Sequence, residues 1–445
     1  MTATISGGPP DHGPFEDVTA EQVVVEHRVV EKPVSPARRF GTGAVLVVLG
    51  ALTTEFLGLS LKAGHKTHFR LGPDDAKHVP DIVFPGRPVV AALGVVVLAL
   101  GVWQIARGFR RRQLNWVLSA SSLLFMVGFL SWVSAQGQGV ELDLVGLLQS
   151  SIDLSVPLIL GALAGVLCER SGVINVAIEG QMLVGAWAGA LVGSLVGDYV
   201  GVVGALFAGA LLGLMLAVFA IRYLVNQVVL GVVLNVFALG ITGYLYDAFM
   251  QPHFETLNNP AIFSTINLPL LSKIPVVGPL LFQANLVVYL TYVLIVVVDV
   301  ALFRTRWGLR TRAVGEHPKA ADTVGIKVLR TRYRNVVVGG AIAGLGGAYF
   351  TIGSVGGFSK NITSGYGFIA LAALIFGRWS PRGAVAAALL FGFFSALNTL
   401  LSINVPNIPS TFVAMLPYVA TIFAVAGLVG RVRAPAADGE PYTKE

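Results

Sequence analysis

Asn175 and Glu179 stand four residues apart in the run Cys168-Glu169-Arg170-Ser171-Gly172-Val173-Ile174-Asn175-Val176-Ala177-Ile178-Glu179-Gly180-Gln181. On a helix that spacing puts an amide and a carboxylate on one face. The surrounding sequence is apolar, so a carboxylate here is costly unless it has a partner or a water-filled path. Two readings are open. Asn175, Glu179 and Gln181 line or brace a translocation path, or Glu179 accepts backbone N–H groups at a broken helix end past Gly172 and never meets substrate. Asn226, Asn235 and Asn398 are neutral polar residues in apolar runs. Hydrogen bonding between helices is the plainer expectation for them, and contact with a sugar hydroxyl or base edge the sharper one. Tyr366 and Phe368 offer ring faces of the kind that stack on a nucleobase, while packing against lipid or a neighbouring helix is the plainer expectation for Phe in such a run. Asp299, closely followed by Arg304, is expected to reach the interface.

Other chemistries find no residues to carry them. His65, His68 and His78 share one polar loop, but their spacing matches no ligand pattern, and a solvated loop without metal is expected. Cys168 is the sole cysteine, so neither a disulfide nor a thiolate cluster is available. No G-x-x-x-x-G-K-[ST] run occurs, so the chain has no phosphate cradle, no catalytic residues and no cofactor of its own. Any ATP hydrolysis belongs to another subunit.

The elements that hold these residues are membrane helices. Hydrophobic residues make up 55% of the 445 and charged ones only 12%, with mean hydropathy +0.75, outside the range of a soluble domain. About 20 apolar residues cross a bilayer. Windows without Asp, Glu, Lys or Arg run Pro88 to Ala106, Gln113 to Val140, Tyr199 to Ile221, Tyr223 to Tyr246, Ile274 to Val298, Asn335 to Ser359 and Gly383 to Gly430, the last divided by Pro406 and Pro409. Weaker spans at Gly43 to Leu61, Val145 to Cys168, Val176 to Leu195 and Gly365 to Phe376 complete an all-α polytopic bundle of about 10–12 transmembrane helices. Alternating these spans from an inside N-terminus gathers Arg38/Arg39, Arg107 to Arg112, Arg170, Arg222, the basic residues from Arg304 to Arg334, Arg378/Arg382 and Arg431/Arg433 on one side. Lys62, Lys66, Arg70, Lys77, Arg87, Lys273 and Lys360 fall on the other. A positive excess marks the cytoplasmic side, so both termini are expected there. The same placement accounts for the pI near 9.5 without nucleic acid.

Residues 1–39 read as a disordered cytoplasmic tail with no signal peptide, residues 40–139 as a three-helix membrane segment, residues 140–432 as the core, and residues 433–445 as a second tail. Core helices carry small residues at four-residue spacing, Gly185/Gly189/Gly193 and Gly340/Gly344, which lets backbones approach. Gly-interrupted stretches at Gly172 to Gly189 and Gly356 to Gly377 hint at a repeat with broken helices. Within the basic loop 304–334, Gly315 to Gly325 has helix start and stop signals. A charged helix exposed there is free to touch a partner through Gly315, Glu316, Ala320, Ala321 and Gly325.

The run from Cys168 to Leu183 resembles the signature of permeases in the branched-chain amino acid, ribose and nucleoside branch of ATP-binding-cassette importers, and its ERSGVxNxxxEG form is most similar to nucleoside (guanosine-type) permeases. Gly315 to Gly325 resembles the coupling helix of such permeases, and Ser364 to Ala370 with Phe376 to Gly383 their later signature. Asn-Val-Ala-Ile-Glu stands where the family more often has Asn-Ile-Gly-Leu-Glu, and the N-terminal tail and the 62–87 loop are long. The resemblance implies alternating access in the cell membrane. It also implies an ATPase subunit binding ATP and Mg, a second similar permease chain in a heterodimer, and an extracytoplasmic substrate-binding lipoprotein. Its implied substrate is a nucleoside, with simple sugars such as ribose or galactose as the alternative. An ion-coupled secondary transporter is the rival class, and it has no use for a coupling helix.

Overall fold

A computed structural model describes residues 36–72, 80–136, 141–404, 415 and 433–444. Its helices are α1 (Pro36–Ala51), α2 (Gly86–Ala106), α3 (Arg111–Gln136), α4 (Leu144–Glu169), α5 (Ile178–Val196), α6 (Asp198–Ala217), α7 (Gln227–Leu245), α8 (Phe254–Leu257), α9 (Val277–Phe282), α10 (Leu286–Arg304), α11 (Arg306–Glu316), α12 (Pro318–Thr323), α13 (Val328–Phe350), α14 (Tyr366–Phe376) and α15 (Pro381–Asn404). Among the described residues nine helices are long and apolar enough to cross a membrane, with Tyr366–Phe376 a shorter apolar one. The expected span past Pro409 and most of the tail 1–39 lie outside the described residues; Pro36 to Arg39 already belong to α1.

Several boundaries differ from the sequence expectation. The apolar run from Ile274 becomes a membrane helix only at Leu286, because Pro275 and Pro279 interrupt it and the Asn285 side chain caps Val288 N–H at 3.1 Å. Asn226 is not inside a span: it is the N-cap of α7, accepting from Val228 and Val229 N–H. The 62–87 loop holds two strands, β1 (Lys66–Arg70) and β2 (Ile82–Pro85), which pair antiparallel, while β3 (Leu142–Asp143) adds in parallel beside β1. This small sheet ties the first three helices to the start of α4. His68 sits there between Asp81 (3.1 Å) and Glu141 (3.5 Å), one carboxylate on each ring nitrogen. His65 Nδ1 contacts Ala135 O, and His78 lies outside the described residues.

The core is built around α4 and α13, the two most buried spans. They run antiparallel, Gly339 packing on Ala164 O and Gly346 on Leu160. Gly340 and Gly344 of α13 press on the backbone of α6 at Gly209, Gly213 and Ala205, and Gly185 of α5 presses on Gly344. Lipid offers no hydrophobic drive between helices, so close backbone packing takes its place. The two long helices each lead through a break into a helix that starts in the interior. After α4 the chain turns at Gly172 (φ +84°) and climbs back, so that α5 begins beside Gly161 and Gly165. After α13 it turns at Gly356 and Gly365, and α14 begins at Tyr366 and runs parallel to α4, Ala370 against Gly161 and Leu374 against Gly165. Because α4 and α13 point opposite ways, the two units are inverted copies whose half-helix N-termini meet.

This packing fixes an expected outcome. Gly344→Leu, which drives a side chain into the α6 backbone, costs about 1–3 kcal/mol or more and lowers the melting temperature of the detergent-solubilised protein. Gly240→Ala, where an added Cβ meets nothing within 4 Å, leaves it unchanged.

Candidate functional site

The two half-helices join through one carboxylate. Glu179, in the first turn of α5, is 7% exposed. Its Oε1 accepts from Thr363 Oγ1 (2.6 Å) and Gly365 N–H (2.8 Å), and its Oε2 accepts from Gly367 N–H (2.6 Å). The two N–H groups belong to the α14 N-terminus, where a negative charge also meets the positive end of the helix dipole. Gly367 lies directly on the Glu179 backbone. Of the two readings open from sequence, this geometry matches the helix-end cap.

The neighbouring polar residues are likewise engaged. Asn175 and Gln181 are fully buried and exchange reciprocal amide bonds (3.0 and 3.3 Å). Asn235 accepts from Gly180 N–H and donates to Val176 O, both at 2.8 Å, and Gln227 accepts from Ile174 N–H at 2.7 Å. The non-helical segment between α4 and α5 therefore has backbone groups satisfied by α7. Phe368 is 50% exposed and remote in role from these bonds. Asn398, on α15, has a buried Oδ1 without a hydrogen bond among the described residues. Tyr366 is half-buried and meets Phe350 edge-on at 5.2 Å.

At the basic end the two signatures dock on each other. Trp379 Nε1 donates to Glu169, and Arg170 Nε donates to Trp379 O at 2.7 Å. Arg378 and Trp379 both take positive φ (56° and 52°), a strained pair that this docking holds in place. Asp299 is paired with Arg382 at 2.8 Å, a partner that its distance in sequence concealed.

The 315–325 segment needs correction. It is two helices, α11 and α12, broken at His317, whose side chain caps Ala320 N–H at 3.3 Å. Ala321 is buried with Val314, Val328 and Tyr442, and Gly315 packs on Arg170 O. Glu316 approaches Arg170 at 3.9 Å. Only Glu316, His317, Lys319, Ala320, Thr323, Val324 and Gly325 of this segment face outward. The cover over Ala321 is the C-terminal tail: Ala437 N–H donates to Gly315 O (2.9 Å), Ala436 N–H to Glu316 (3.3 Å), and Arg332 to Glu440 O (2.8 Å). Nothing in a stretch as short as 433–444 signals that seat.

Asp438 of the tail is buried against the carboxyl of Glu169. Burial first, then that neighbouring carboxylate, pushes its pKa up to about 8, partly offset by Arg332. A docked Asp438 thus keeps a proton that a released one loses in the ordinary carboxylate range. Docking is strongest in acid and weakens as pH rises from that range through about 8. A fluorophore on Thr443→Cys, selective because Cys168 is buried, gains mobility between pH 6 and 9, and Asp438→Asn reduces that pH dependence.

Sequence reasoning passed over Asp153. It is the one charged residue between Val145 and Cys168, and a lone charge in a span was the available signal. A second expectation follows from the cap. Glu179→Gln loses one of three charge-assisted bonds, about 1–3 kcal/mol, and still assembles with a lower melting temperature, whereas Glu179→Leu leaves the buried α14 N-terminus unsatisfied and folded protein does not accumulate.

Comparison with known proteins agrees with this architecture. The family model described as branched-chain amino acid transport system / permease component matches residues 147–425. The guanosine ABC transporter permease protein NupQ of Bacillus subtilis is 40% identical over 303 residues, 65% of this chain and 94% of that protein. The nucleoside ABC transporter permease protein NupC of Lactococcus lactis is 39% identical over the same shares. A putative glucose ABC transporter permease protein, TsgC13 of Haloferax volcanii, is 30% identical over 57% of this chain and 77% of its own length. No solved structure matches the chain.

Proposed function

Because this multi-pass membrane protein belongs to the family of branched-chain amino acid transport system permease components, we propose that it is the permease subunit through which an ATP-binding-cassette importer moves nucleosides. The observation that carries the substrate is the 40% identity spread over 94% of a guanosine permease. Simple sugars are the second reading, supported by the similarity to a putative glucose permease at 30% identity. An ion-coupled transporter leaves both similarities without explanation.

The basic end, with Arg170, Arg222 and the 304–334 loop, faces the cytoplasm in this reading, and both termini lie there. A separate ATPase subunit binds ATP and Mg and docks on the outward residues of α12. A second, similar permease chain completes the path, and an extracytoplasmic lipoprotein delivers substrate. Motion at α12 reaches the membrane through short steps: Glu316 to Arg170, Arg170 to Trp379, and Trp379 into the end of α14. Glu179 holds the other end of α14 to α5. A shift at the ATPase can therefore move α14 as a unit along α4 while its capped N-terminus stays protected from lipid.

Reconstitution of the complete complex tests both parts. Guanosine accumulates in proteoliposomes only with ATP and the ATPase, and a tenfold excess of ribose or galactose leaves uptake unchanged. Uptake by the chain alone under an ion gradient, or preference for the sugars, overturns the reading. Ala320→Trp, on the exposed side of α12, leaves insertion and basal ATPase activity near normal and uncouples transport. Ala321→Trp instead displaces Tyr442 and destabilises the fold.

A further inference from the structure

Asp153 lies on α4 one turn before Pro157, close to the level at which α14 begins, since Gly161 already faces Ala370. This is the middle of the span. Its carboxylate forms no hydrogen bond or ion pair among the described residues, although bare charges at this depth are costly. Gln149 and Ser150, four and three positions earlier, share its face, and none of the three is fully buried. They share this less buried half of α4 with Leu148, Ile152 and Leu154, so the half of the span that holds Asp153 is the half the core leaves open.

Tyrosines of three other helices lie near this level of α4: Gly346 of α13 packs on Pro157, which brings Tyr349 one turn on level with Asp153, and Tyr366 opens α14 one turn before Ala370 meets Gly161. Tyr292 of α10 and Tyr349 of α13 both lie within electrostatic reach of Asp153, and Tyr366 of α14 lies within reach of Tyr349. The hydroxyl of Tyr292 is buried and has no hydrogen-bond partner among the described residues. An unpaired buried hydroxyl costs free energy comparable to a lost hydrogen bond, and among the described residues both this donor and the Asp153 acceptor keep their hydrogen-bonding capacity open. The N-terminus of α14 adds its own setting, since substrate sites at the membrane midplane form where half-helices begin. Its N–H groups are already taken by Glu179, so this end supplies position and Tyr366, and Asp153 supplies the open acceptor.

We propose that Asp153, Tyr292 and Tyr366 form the membrane-depth contact site for the nucleoside, the Asp153 carboxylate accepting from an adjacent pair of donors on the substrate and the Tyr292 and Tyr366 side chains flanking its base, with Tyr349 buried in the core beside them. The assignment rests on the nucleoside-import reading above. Two parts of guanosine present such a pair: the ribose 2′,3′-hydroxyls and the N1–H with the 2-amino group of the base. A carboxylate takes either in bidentate fashion, and aromatic faces accept any base.

The test uses the complete reconstituted complex with labelled guanosine, 2′,3′-dideoxyguanosine, which lacks the diol, and adenosine, which lacks the guanine edge. Asp153→Asn lowers guanosine transport efficiency about ten- to hundredfold, with the assembled complex recovered in the same yield. It also narrows the wild-type preference for guanosine over one of the two analogues, and that analogue names the donor pair. Tyr292→Phe, which removes only the hydroxyl, gives a smaller loss in the same direction. The same binding protein delivers all three compounds to every variant, so its own selectivity cancels in the ratio. Guanosine transport within twofold of wild type in both variants overturns the assignment, as does an equal loss for all three compounds, which marks a structural role. A wild-type complex that moves no nucleoside overturns the import reading itself, and this assignment falls with it.

Discussion

A carboxylate buried between two helix ends is the constraint around which this membrane core is arranged. Two half-helices that start inside a bilayer expose free N–H groups where no water reaches them, and each unsatisfied group costs several kcal/mol in hydrocarbon. Glu179 accepts three donors at the α14 end while standing in the first turn of α5. One charge therefore serves two dipoles. Removing it would leave α14 with no reason to begin where it does, and the inverted pairing of the two repeat units would lose its centre.

The other breaks are governed by the same need. The segment from Ser171 to Ala177 cannot pair its backbone within a helix, so Gln227 and Asn235 of α7 and the Asn175–Gln181 amide pair surround it. Irregular backbone at membrane depth is tolerated only inside protein or beside a water-filled cavity, and here protein provides the cover. Glycines on α13 bring α5 and α6 close enough to close the shell. The polar residues that look like a binding site in the linear sequence are thus largely consumed by the backbone, and among the described residues Asp153, Tyr292 and Asn398 are ones that keep hydrogen-bonding capacity open.

At the basic end a second set of contacts links surfaces far apart in the chain. Arg170 touches the later signature through Trp379 O and the coupling segment through Glu316, and the tail lies across both by way of Gly315, Glu316 and Arg332. Motion and docking at this end are consequently properties of one packed unit. The tail also sets Asp438 against the carboxyl of Glu169, and burial beside that carboxyl raises the pKa of Asp438.

Hydropathy and the distribution of Lys and Arg determined the membrane class and most of the spans from sequence, because a bilayer demands about 20 apolar residues per helix wherever the chain crosses. Glycine spacing and the signature runs likewise announced close packing and broken helices, since both are local in sequence. Which polar residue meets which was decided by tertiary structure. Glu179 and Gly367, Glu169 and Trp379, Asp299 and Arg382, and Ala321 and Tyr442 are pairs separated by long stretches of chain, and no local pattern encodes their meeting. The start of α10 shifted because prolines outweighed hydropathy, and α12 turned Ala321 inward because a six-residue helix takes its orientation from what packs on it. A side chain's type is written in the sequence; whether its hydrogen-bonding capacity is spent or left open depends on neighbours that only the folded chain supplies.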